Sequence, residues 1–171
     1  MPSDEDLPSD LRGLPALTVQ QPFAELLVRG VKTIENRTWY TSHRGRLVIH
    51  AGTSTRVYRS DFPAFLGRVR AANAQHELDA LAPIGDLPRG AILGTVYLID
   101  VCRLEDTHDS PWAVGPWCWI VSDARRLNTP VPRTGGRGLW WVGGEGVRRK
   151  SDGAWTKSKM HSNTLSKETD R

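Results

Sequence analysis

Apolar residues recur along this chain in two rhythms, and the switches between them mark out the elements. Phe23, Leu26 and Leu27 fall at i, i+3 and i+4 within residues 21–29, with Pro22 at a first helical position and Gly30 where a left-handed stop belongs. The spacing predicts a short helix ending at Gly30. In an extended segment after it, Glu35, Arg37 and Trp39 share one face and Ile34 and Thr38 take the other, because side chains alternate along a strand. Residues 45–50 form a buried strand, and Asp61-Phe62-Pro63 opens a helix carrying Phe65, Leu66, Val69 and Ala72 at helical spacing. Residues 91–103 are long enough for a curved barrel strand, with Gly94 as its bend. Residues 117–121 and 138–142 are β-prone aromatic runs joined through Pro130 and Pro132, which bar a central strand there. Several short strands with few helices predict an α+β fold, a small mixed β-barrel with flanking helices rather than a doubly wound sheet.

Charge changes the picture through its distribution more than through its sum of +4. Acidic residues crowd residues 1–13 among Pro and Ser, and residues 147–171 are rich in Lys, Arg, Ser and Thr, so both ends are expected to be unstructured tails around one domain at 14–146. Arg37, Arg44 and Arg46 surround the post-helix segment, and Arg125, Arg126, Arg133 and Arg137 precede the last strand, which predicts a basic surface. No run is long and apolar enough for a bilayer and no secretion signal opens the chain, so a cytoplasmic location is expected. The two cysteines, Cys102 and Cys118, lie in apolar runs and suit buried thiols rather than a disulfide framework. The five histidines lack metal-ligand spacing, so no metal and no cofactor are expected.

Three stretches carry a family resemblance: Leu17-Thr18-Val19-Gln20-Gln21-Pro22-Phe23-Ala24, then Gly30-x-Lys32-x-x-Glu35-x-Arg37, then Gly45-Arg46-Leu47-Val48-Ile49-His50-Ala51. Their order and spacing resemble the ASCH domain, a branch of the PUA-like superfamily, over about residues 14–142. Trp39-Tyr40-Thr41-x-His43-Arg44-Gly45-Arg46-Leu47 is most similar to the transcription-coactivator type of that domain. The resemblance implies a PUA-like pseudobarrel in which the GxKxxExR segment lines a cleft at the barrel mouth and the helix after the Gln-Pro pair forms one wall.

Clustered arginine beside aromatic residues supplies what single-stranded nucleic acid needs, neutralised phosphates and a stacking face. The expected partner is therefore nucleic acid, RNA ahead of DNA on the superfamily resemblance, or a nucleotide, bound by a monomer. The residues expected to contact it are Gln21, Lys32, Glu35, Arg37, Trp39, Arg44, Arg46, His50 and Trp117. Glu35 is a poor partner for phosphate, so it is expected to read a base edge, to orient Lys32, or to act as a general base. A structural pair with Arg37 is the alternative. A competing expectation is a metal-independent hydrolase using Lys32 and Glu35, because some family members are N4-acetylcytidine amidohydrolases and others ribonucleases. Here the position of the amidohydrolase threonine nucleophile is Glu35.

Overall fold

The computed structural model describes residues 6–55, 62–107, 109–143, 147–149 and 155–157. Six strands, β1 (Pro15–Val19), β2 (Ile34–Arg37), β3 (Gly45–Ala51), β4 (Ala91–Arg103), β5 (Trp117–Pro132) and β6 (Leu139–Trp141), form one curled sheet in the order β2-β5-β4-β3-β1-β6. The β1–β3 pair is parallel and the other pairs are antiparallel. Helix α1 (Phe23–Val28) covers the inside of the curl, while α2 (Phe62–Ala71) and α3 (Gln75–Asp79) flank it. This is the expected α+β arrangement. Among the described residues no helix is long and apolar enough to cross a membrane.

The long strand β4 shows how the sheet curls. Its inward residues are Ala91 and Leu93, then Val96 and Leu98, then Val101, so the alternation changes parity twice. The two changes coincide with register shifts against β5 between Thr95 and Tyr97 and between Leu98 and Asp100, and a third shift lies between Ile92 and Gly94. An extra residue in one strand flips every later side chain to the opposite face and bends the strand, so these irregularities are what curve the barrel. Gly94 is the bend expected from the sequence: a Cβ there would lie 2.1 Å from the carbonyl oxygen of Arg125.

Three cores result. Leu17, Val19, Leu47, Ile49, Leu98 and Trp119 fill the barrel with Leu27 and Val28 of α1. Outside β2 and β5, Ile34 and Cys118 meet Leu26, Trp112 and the Phe65 and Val69 face of α2. Behind β1, β3 and β4 lies a third core of Leu7, Leu11, Ala16, Val48, Ile92 and Val142.

Four sequence expectations shift. Leu7 and Leu11 fall in the stretch expected as an unstructured tail, yet they are 3% and 1% exposed, because the outer sheet face would otherwise show water its apolar side chains. Residues 1–5 lie outside the described residues. In the expected C-terminal tail, Val147–Arg149 pair antiparallel with Trp155–Lys157, a short ladder rich in strand-favouring residues; the remaining tail residues lie outside the described ones. Strand β5 continues through Pro130 to Pro132, because β2 pairs only with Trp117 to Ile120 and leaves the distal half of β5 an edge, where proline is tolerated. Finally α1 begins at Phe23, one residue after Pro22.

Gly94→Ala is expected to cost about 3 kcal/mol, since the new methyl meets backbone that cannot step aside. By contrast Gly67→Ala, in open space on α2, should gain about 0.5–1 kcal/mol from lost unfolded-chain freedom. Urea midpoints of the two variants, at unchanged m-values, check both.

Candidate functional site

Gly30, at φ 74°, ends α1 and turns the chain back so that the amide of Lys32 donates to the Leu26 carbonyl oxygen at 3.1 Å. The Lys32 side chain is thereby carried beneath the helix, where it is 3% exposed and stands 5.7 Å from the centre of the Phe23 ring. Its Nζ donates to Glu35 Oε2 at 2.7 Å and to the Ile34 carbonyl oxygen. The other carboxylate oxygen of Glu35, Oε1, accepts Arg37 Nη2 at 3.0 Å, and the same nitrogen donates to the carbonyl oxygen of Thr18 at 2.8 Å. A chain of alternating charge therefore runs from α1 through β2 to β1. The Nε of Arg37 is buried without a hydrogen-bond partner.

Burial acts on both ends of the Lys32–Glu35 pair. Desolvation lowers the pKa of Lys32, against the partial opposition of Glu35. Desolvation also pushes Glu35 upward, but the two cations and their hydrogen bonds outweigh it and hold the carboxyl below its ordinary 4.5. Glu35 thus stays ionised.

Lys32 and Glu35 border a cavity of about 190 Å³ that is also lined by Phe23, Asn36, Arg68, Trp112 and Val114. Asn36 fixes its outer wall, since Oδ1 accepts the amides of Val114 and Gly115 at 2.8 and 2.9 Å while Nδ2 donates to the Trp112 carbonyl oxygen at 2.9 Å.

The ASCH domain model matches residues 17–130, two-thirds of the chain. This chain belongs to the ASCH domain family. Over 142 residues, 80% of its length, it is 31% identical to Activating signal cointegrator 1 of Homo sapiens and 39% identical to that of Mus musculus. The chain spans about a quarter of the length of those relatives, 24% in each case. Among solved structures, ASCH from Zymomonas mobilis superposes with a TM-score of 0.43 at 12% identity, covering 77% of this chain and 88% of that one.

Within this ASCH domain the expected site residues divide into two groups. Lys32, Glu35 and Arg37 come together as described. Gln21 is 2% exposed and structural in its contacts: Nε2 donates to the Pro88 carbonyl oxygen at 2.8 Å and Oε1 accepts the Glu25 amide at 3.1 Å, anchoring the start of α1. His50 is held by Nε2 donating to the Arg133 carbonyl oxygen at 2.8 Å, with Nδ1 lying 3.3 Å from Thr18 Oγ1. Arg44 and Arg46 lie at the surface, paired with Asp100 at 2.8 Å and Asp10 at 3.3 Å.

The aromatic assignment changes. Strand β2 ends at Arg37, so the shared strand face does not extend to Trp39, whose ring packs edge-on against buried Trp119 with centroids 4.8 Å apart. Trp117 is flanked by the Arg103 guanidinium, 3.9 Å from the ring centre, and by Tyr40 at 5.0 Å. The cavity aromatics are Phe23 and Trp112. Trp112 stands 75 or more positions from the motif in sequence, and no local spacing signals it; Arg68 was equally hidden, as one of two arginines on α2. Among the described residues no group of three His, Cys, Asp or Glu side chains is placed to hold a metal.

Lys32→Met is expected to lower stability by about 3–5 kcal/mol, the usual cost of leaving one member of a buried ion pair behind. Adding Glu35→Leu should recover part of that loss. Because the folded-state pKa of Glu35 is depressed, its stabilising contribution is complete above about pH 4.5 and is lost as pH falls further, through the folded value. Denaturant titrations from neutral pH into that acid range should show a shallower decline in the double variant than in the parent.

Proposed function

We propose that the cavity beside the Lys32–Glu35 pair is the base-accepting site of a nucleic-acid-binding module, taking single-stranded RNA ahead of DNA. The observation that carries this reading is the division of labour in the cavity wall. Phe23 and Trp112 supply apolar ring surface, while Glu35 supplies an acceptor and Lys32 and Arg68 supply donors. A nucleobase divides the same way, with apolar faces and a rim of donors and acceptors. A carboxylate in a cationic site suits an exocyclic amino group far better than a phosphate.

At about 190 Å³ the cavity is smaller than the roughly 300 Å³ at which sites for whole small molecules begin. It has room for a flat ring, with sugar and phosphate left outside. The preference for RNA rests on the PUA-like superfamily to which ASCH domains are assigned, and the name of the relatives, activating signal cointegrator, fits a nucleic-acid-related role. Binding is favoured over acyl transfer because among the described residues no hydroxyl or thiol lines the cavity, and Thr33 and Thr38 are exposed.

Arg68 separates function from folding, being half-buried and outside the charge chain through β2. Arg68→Ala should weaken binding of a short ribooligonucleotide by about 1–3 kcal/mol, as for a specific contact, with the thermal midpoint unchanged. The parent should prefer particular bases in a nucleoside panel and turn over neither N4-acetylcytidine nor RNA. Binding indifferent to base, or equal in parent and variant, would overturn the assignment.

A further inference from the structure

A second, larger cleft of about 560 Å³ lies at the C-terminal ends of the parallel strands β1 and β3 and beneath the turn that leads from β5 to β6. Thr18 and His50 lie along it, and Arg133, Thr134, Gly135 and Arg137 of the turn enclose it. The turn is fastened from below. His50, 1% exposed, donates from Nε2 to the Arg133 carbonyl oxygen at 2.8 Å, and Thr18 Oγ1 donates to the Gly136 carbonyl oxygen at 3.1 Å while accepting Trp140 Nε1 at 3.1 Å. A Cβ on Gly135 would stand 2.5 Å from the His50 ring and 2.7 Å from Thr18 Oγ1, so only glycine lets the backbone sit this close. A rigid rim of this kind is what a preorganised binding site requires.

The charge of the cleft differs from that around four other arginines expected to form the basic surface. Arg44, Arg46, Arg125 and Arg126 each face a carboxylate, those of Asp100, Asp10, Asp123 and Glu25. Among the described residues no carboxylate lines the cleft, which holds the exposed Arg137 beside Arg133, the hydroxyls of Thr53 and Thr134, and the exposed backbone of Gly135. Guanidinium, hydroxyl and backbone N–H are the donors that phosphate oxygens recruit. One side chain lies between the two hollows: Arg37 Nη2 is 3.0 Å from Glu35 Oε1, on the wall of the small cavity, and 2.8 Å from the carbonyl oxygen of Thr18, on the wall of the large one.

We infer that this cleft holds the phosphodiester backbone of the nucleotides flanking the captured base, so that a single strand crosses two adjoining subsites with Arg37 between them. The inference rests on the base-accepting reading of the small cavity, which is too small for a nucleotide and must leave the rest of the strand outside. Arg137 is the exposed cation of the turn, and Thr134 its exposed hydroxyl. Neither touches the small cavity.

The test compares a free nucleoside with a hexaribonucleotide of the same base on the full chain. Parent and variants share the basic C-terminal residues, so any binding by those is common to all. The parent should bind the hexamer more tightly than the nucleoside. Arg137→Glu should remove on the order of tenfold of hexamer affinity at low salt, and Arg137→Ala should reduce the slope of log K against log salt by about one. Both should leave nucleoside affinity at the parent value, whereas Arg68→Ala should weaken both ligands. Hexamer binding that is unchanged by Arg137→Glu, or a loss equal for hexamer and nucleoside, overturns the cleft and leaves the base site standing. A parent that binds neither ligand overturns the base site and the cleft with it.

Discussion

The curled sheet of this ASCH domain has two ends, and a side chain joins them. Strand β6 is three residues long and pairs with β1 only as far as Leu17. Beyond that point the carbonyl oxygen of Thr18 is taken by Arg37, from β2 at the opposite end of the strand order. Arg37 can reach across because its guanidinium presents donors in a planar fork, with Nη2 serving Glu35 and Thr18 together. The closure of the barrel and the placement of the candidate site are therefore one interaction.

Holding charge in such a place requires compensation. An isolated buried ammonium or carboxylate is costly, and the pair Lys32–Glu35 alone would still lose much of its Coulomb gain to desolvation. Arg37, which keeps contact with solvent at 21% side-chain exposure, adds a second cation to the carboxylate and holds it ionised. The cluster retains one net positive charge, and Arg68 across the cavity adds another. A site so arranged attracts anions at its rim and presents a fixed acceptor inside, a combination that a surface ion pair in free rotation would not keep.

The same economy of charge appears on the outside. Glu25, fully buried on α1, binds Arg29 at 2.8 Å and reaches Arg126 of β5 at 2.5 Å, so an arginine that looked like part of a nucleic-acid surface is a brace between helix and sheet. Beside these braced and paired arginines, the exposed Arg137 on the turn of residues 132–137 stands out. The glycines of that turn matter for the opposite reason to Gly94: Gly94 bends a strand where Arg125 backbone presses on it, whereas Gly135 lets a turn lie against His50 and Thr18.

By itself the sequence determined the local elements: the helix stopped by Gly30, the buried strand before Ala51, the bend at Gly94 and the motif that gathers Lys32, Glu35 and Arg37. Each follows from backbone preference or from a periodicity that neighbours in sequence can express. The resemblance carried by three short stretches supplied the family and the barrel. What only the tertiary structure decided is which side chains meet across sequence distance. Alternation predicted that Trp39 would stand beside Arg37, but β2 ends first and the cavity takes its aromatic wall from Trp112 and its cation from Arg68. Leu7 and Leu11, polar in their surroundings on paper, were claimed by an outer sheet face that exists only after the strands pair. Pairing also settled which arginines are spent on carboxylates, because charge along a chain is additive while charge on a surface depends on what each group faces.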